Sequence, residues 1–142
     1  MSNVRQRARI ARVRKIQHGM AALAATRAQD HVQALENNEQ RLQQMRVALG
    51  AAAGICMGAD LASRGELAMR LEAAELGLAK TIVGAKKAVV LREQARIGAR
   101  RDQESAEQLE QRAASANARK QDRRSAALFR PRPRKQIEGE ET

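Results

Sequence analysis

The first proline of the chain is Pro131, so for 130 residues no side chain forces a helix to stop. One stretch interrupts this: residues 47–62 read VALGAAAGICMGADLA, with Gly50, Gly54 and Gly58 at every fourth position and no charge from Val47 to Ala59. Thirteen uncharged residues are too few for a membrane span, which needs about twenty. A phosphate loop would require a G-x-x-x-x-G-K-[ST] pattern, and the chain has none. Gly50, Gly54, Gly58 and Gly65 each weaken a water-exposed helix by about 1 kcal/mol relative to alanine. Asp60 and Ser63 are good N-caps, and Ser63-Arg64-Gly65-Glu66 has the form of a capping box. The run therefore reads as a reversal. The first helix ends between Gly50 and Gly58, and the second starts between Asp60 and Glu66. Short connections make consecutive helices antiparallel neighbours. A continuous helix through the glycines, forming an extended dimer, is the alternative.

The expected fold class is all-α: two long helices forming an antiparallel coiled-coil hairpin, followed by a disordered C-terminal tail. Helix one covers 1–49, the small-residue turn 50–65, helix two 66–125, and the tail, basic then acidic, 126–142. In helix one, Ile16, Met20, Leu23, Leu35, Leu42, Met45 and Leu49, with Arg27, His31 and Asn38 filling the gaps, step by fours and threes. That is a heptad seam with one phase slip near His31. In helix two, Leu67, Leu71, Ala74, Leu78, Ile82, Ala85 and Val89 form a second narrow seam. With one Phe and no Trp or Tyr, a globular core would be poorly filled, which also favours paired rods.

This architecture limits function. Two helices alone enclose no water-excluding pocket, so an enzyme is not expected. Cys56 is the only cysteine, which fits a reducing compartment. His18 and His31 are too far apart to share a helical face as metal ligands. No metal and no cofactor are expected.

Charge is unevenly laid out. Residues 1–29 carry seven bases and no acid, whereas residues 30–79 carry four bases and seven acids. Residues 80–137 carry sixteen bases and six acids. An antiparallel hairpin brings residues 1–29 beside residues 90–125, so the open end of the rod concentrates positive charge. Like charges crowded at low salt cost stability. Such an end offers itself to something acidic. The N-terminal stretch VRQRARIARVRKIQHGM also reads as a targeting peptide, a helix lying on an anionic membrane, or a phosphate-binding segment. The plainest reading is a coiled-coil helix with a solvated basic face. A purely structural oligomeric coiled coil is a further possibility.

The basic heptad helix, the small-residue reversal and a longer second helix closing in LEQRAASANARKQDRRSAALFRPR resemble the flagellar FliJ family. The resemblance implies a non-enzymatic coiled-coil component of the bacterial flagellar type III protein-export apparatus, similar to the stalk subunit of rotary ATPases. Its partners would be the hexameric export ATPase, the cytoplasmic domain of the export-gate membrane protein, and export chaperones. Its place would be the cytoplasm, peripheral at the inner membrane. In that family the open end enters the ATPase ring. The expected contacts are Arg5, Arg7, Arg9, Arg12, Arg14 and Lys15 on helix one, and Arg112, Arg119, Lys120, Arg123 and Arg124 on helix two. The gate contact would fall on Asn38, Leu42, Met45, Leu49, Leu67, Leu71 and Ala74, near the turn.

Overall fold

The computed structural model describes residues 2–51, 54 and 57–128. It is a hairpin of two helices, α1 (Ser2–Ala51) and α2 (Gly58–Leu128), packed against each other, with no strand among the described residues. The direction is antiparallel. Arg46 pairs with Glu75, Glu36 with Lys86, Gln29 with Glu93 and Arg14 with Asp102, so one partner moves toward its N-terminus as the other moves toward its C-terminus. Helix two runs further than 125: Ala126, Ala127 and Leu128, expected in the tail, are still helical, and the rest of the expected tail to 142 lies outside the described residues.

The second helix begins at Gly58, earlier than Glu66. The Met57 carbonyl accepts from the amides of Asp60 (3.0 Å) and Leu61 (3.2 Å), which opens the helix. Asp60 then lies in the first turn, where a negative charge suits the helix dipole. The expected Ser63 capping box does not form. Ser63 is already helical, and its Oγ donates back to the Ala59 carbonyl at 3.0 Å. Glu66 is spent on an exposed pair with Arg70 one turn on. Gly50 and Gly65 are likewise helical.

The seam of α1 differs from the expected one in its first half. Ala11, His18, Ala21, Ala25, Ala28, Val32, Leu35, Glu39, Leu42 and Leu49 turn inward. With Arg14 and Arg46 in the gaps these form one unbroken heptad, without a phase slip. Ile16, Met20 and Leu23 are 63%, 67% and 52% exposed, and Arg27, His31, Asn38 and Met45 also face solvent. The physical reason is continuity. A supercoiled helix that buries Leu49, Leu42 and Leu35 arrives, seven residues at a time, at Ala28 and Ala21, and its companion row from Glu39 and Val32 arrives at Ala25. Inserting a slip would break the pairing beyond it.

In α2 the inward row is Leu71, Glu75, Leu78, Ile82, Ala85 and Val89, continued by Arg96, Ala99, Gln103, Ala106, Glu110, Ala113 and Asn117. Ala74 points out, and Glu75 takes its place beside Arg46 at 2.9 Å. Leu67 is half exposed. Among the described residues only Ala11, Ala25, Ile82 and Ala106 are buried, and none of them completely. The core is a thin line of mostly small side chains, and Ile82 is its one large member, worth about 2 kcal/mol.

The helices are unequal. Fifty residues make α1 roughly 75 Å long, and seventy-one make α2 roughly 105 Å. Val4 lies beside Ala113 and Asn117. From Gln121 to Leu128 every residue is exposed, and α2 continues past the start of α1 as a single helix.

Candidate functional site

The open end is built from the first four turns of α1 and the α2 residues beside them. Arg5, Arg9, Arg12 and Lys15 are exposed, and Arg7 is half-buried, its Nε donating to Asn3 Oδ1 at 3.1 Å. Arg14 reaches across the hairpin: its Nη1 is 3.1 Å from Asp102 Oδ2 and donates to Gln17 Oε1 at 3.0 Å. A shallow, open groove lies between the helices here, lined by Asn3, Arg7, Ile10, Asp102 and Leu109.

The expected crowding of like charges is corrected at this point. The part of α2 opposite the α1 bases carries Asp102, Glu104, Glu107 and Glu110, with no base from Asp102 to Gln111. Glu107 and Glu110 are half-buried against α1. In the summed charge of residues 80–137 this acidic run is hidden by its basic neighbours. The α1 bases are thus partly balanced from across the seam. Arg112, Arg119, Lys120, Arg123 and Arg124 lie beyond the acidic run and are exposed, and none makes an ion pair among the described residues. Among the described residues, bases without ion pairs therefore stand both on the first turns of α1 (Arg5, Arg7, Arg9, Arg12 and Lys15) and on the protruding end of α2, and only the α1 group faces an acidic run across the seam.

At the turn end, Met45, Leu49, Leu67 and Leu71 surround one apolar depression. Leu42 is half-buried in the seam. Asn38 and Ala74 are exposed and lie apart from that depression. Leu49 and Leu71 serve the seam as well, so Met45 (57% exposed) and Leu67 (47%) are the side chains most available to a partner.

A feature the sequence reading passed over runs along α2. Met69, Leu76, Val83, Val90 and Ile97 recur at strict seven-residue intervals, and all are exposed. The signal was present as a second period-seven row one position removed from the seam. Among the described residues no group of His, Cys, Asp or Glu is arranged to hold a metal ion, and no helix is long and apolar enough to cross a membrane. The shifted titration belongs to Lys86, whose pKa rises above its ordinary 10.5 because it donates to Glu36 and sits in the field of Glu36 and Glu39.

Fold and surface together define an antiparallel two-helix coiled-coil rod with a basic single-helix extension. No protein-family model matches the sequence, and neither a curated protein nor a solved structure matches it.

Proposed function

We propose that the chain is a non-enzymatic coiled-coil component of the bacterial flagellar type III export apparatus, acting on its hexameric ATPase in the cytoplasm at the inner membrane. The observation that carries this reading is the unequal hairpin. A rod whose longer helix projects beyond its partner, bearing Arg119, Lys120, Arg123 and Arg124 without ion pairs among the described residues, has the shape and charge to enter an acidic central opening. The bases of α1, especially Arg5, Arg9 and Arg12, would follow it in. The turn end, with Met45 and Leu67 around their depression, then faces away from the ring and is free for the gate protein.

The test is ATP hydrolysis by the export ATPase with and without this protein. Stimulation that is lost on deleting residues 1–15 or 110–142, and kept when the turn is substituted, supports the reading. Absence of both binding and rate change rejects it.

The same unbalanced bases support a second reading, nonspecific binding to nucleic acid or another polyanion. Its mark is affinity falling steeply with salt, by roughly one power of salt concentration per phosphate contacted. A shallow salt response removes that reading.

A further inference from the structure

The α1 helix carries two heptad rows on opposite faces. One, through Ala11, His18 and Ala25, packs on α2. The other is Val13, Ile16, Met20 and Leu23, spaced by three, four and three residues, and 52–67% exposed. Leu23 and Ala25 are two residues apart, roughly 200° around the helix. The second row therefore points directly away from the hairpin. Single exposed apolar residues are ordinary, but four aligned at coiled-coil spacing on the outer face of a two-helix rod form a seam without a partner.

Its borders define what fits. Arg9 and Arg12 stand at one end and Arg27 at the other; all are exposed, and none is ion-paired among the described residues. The first acid in the chain is Asp30. We infer that this outer face of α1 is a docking surface for an acidic amphipathic helix of another protein, which lays its apolar residues on Ile16 and Met20 and its carboxylates beside Arg9, Arg12 and Arg27. The inference shares Arg9 and Arg12 with the export reading but does not rest on it, since it is carried by the apolar row from Val13 to Leu23 and uses neither the overhang of α2 nor the turn.

A second copy of the chain fits poorly. Face to face, it would set Arg9, Arg12 and Arg27 against themselves. The outward row of α2 from Met69 to Ile97 is bordered by Lys80 and Lys87 as well as by Glu66, Glu72 and Glu93, and Glu66 and Glu93 are already paired with Arg70 and Arg96, so it has no acidic excess to meet the bases of α1. A membrane surface fits less well than a helix. The row is one side chain wide and about 15 Å long, and residues 1–29 hold no Trp, Tyr or Phe to sit at a lipid interface.

The experiment uses the full chain and a labelled synthetic peptide of about three heptads, with Leu at the seam positions and Glu at the flanking ones. Fluorescence anisotropy measures binding to the wild type and to the double variant Ile16→Gln, Met20→Gln. Circular dichroism checks that the variant keeps its helicity and melting temperature, as exposed positions should. Binding to the wild type, weakened about tenfold or more in the variant, is expected, because two apolar side chains are lost from the contact. A scrambled peptide of the same composition should bind as weakly as the variant does. Equal binding of the scrambled peptide, or no loss in the variant, would overturn the proposal by reducing the contact to bulk charge. It is also overturned if anionic phosphatidylglycerol vesicles, and not the peptide, lose affinity in the variant. Sedimentation showing a wild-type dimer that the double variant dissolves would assign the face to a second copy instead.

Discussion

Arg14 Nη1 lies 3.1 Å from Asp102 Oδ2, and this contact joins the basic first turns of α1 to the acidic stretch of α2. With so few large side chains buried, charge complementarity helps to set which residue of one helix faces which residue of the other. Arg14→Glu and Asp102→Arg should each lower stability, and the doubly reversed chain should recover most of the loss. Both groups are about half exposed, so the coupling should be small, about 0.5 kcal/mol. Urea unfolding of the four proteins measures it. Strictly additive losses would show that the two residues do not interact in solution.

The same residue type should behave differently on the two faces of the rod. Ile82 is 6% exposed and Ile16 is 63% exposed. Ile82→Ala should cost about 2–3 kcal/mol, whereas Ile16→Ala should change stability by less than about 0.5 kcal/mol. Chemical denaturation followed at the helix band is the check. A comparable loss for the two would mean that the outer row is covered in the isolated protein.

Gly77 and Gly84 sit inside α2, and a Cβ built on either meets nothing within 4 Å. Neither glycine is required by a close approach within the hairpin. Gly77→Ala and Gly84→Ala should each raise stability by about 1 kcal/mol, the intrinsic helix difference. Thermal melts of the single variants decide it. A drop in melting temperature would reveal close packing against another chain at those positions.

Lys86 Nζ is 2.8 Å from Glu36 Oε1, and its pKa is raised, chiefly by that hydrogen bond and then by the charge of Glu36. A base whose folded pKa exceeds its unfolded value adds stability that is fully present below the unfolded pKa. That stability is lost as pH climbs through the folded one. The Lys86 contribution should therefore be fully present well below pH 10.5 and fade as pH climbs from there through the raised folded value. In Glu36→Gln, the Lys86 side-chain NMR titration should move back toward 10.5. An unmoved titration would show that the pair is not populated.

The two-helix architecture was legible because proline-free length, helix-forming composition and heptad spacing all point one way. Leu35, Leu42 and Leu49 on α1, and Leu71, Leu78, Ile82, Ala85 and Val89 on α2, were found from spacing alone. In the N-terminal half of α1, side-chain size is a poor sign of burial. There Ile16, Met20 and Leu23 compete with an alanine row, and only the phase inherited from Leu35 decides between them. Ala74 lost its place to Glu75 for a related reason: a carboxylate with Arg46 beside it is tolerated at the seam, and polarity alone does not disclose the partner. The helix start was misplaced because Ser63 has two uses, capping an amide or bonding back to a carbonyl, and the sequence is the same for both. At the open end, the acidic run from Asp102 to Glu110 is legible in the sequence only at the scale of about three helical turns, because the longer basic block around it outweighs it.

The unequal lengths of the helices have a mechanical meaning. Through most of its length the rod has two strands side by side, and deflecting it means shearing one against the other. Past Lys120 a lone strand continues, with half the cross-section and no neighbour to shear against. Under a sideways or twisting load, strain will gather at that step. The two-helix body is the stiff part of the rod, and the basic tip is its compliant end.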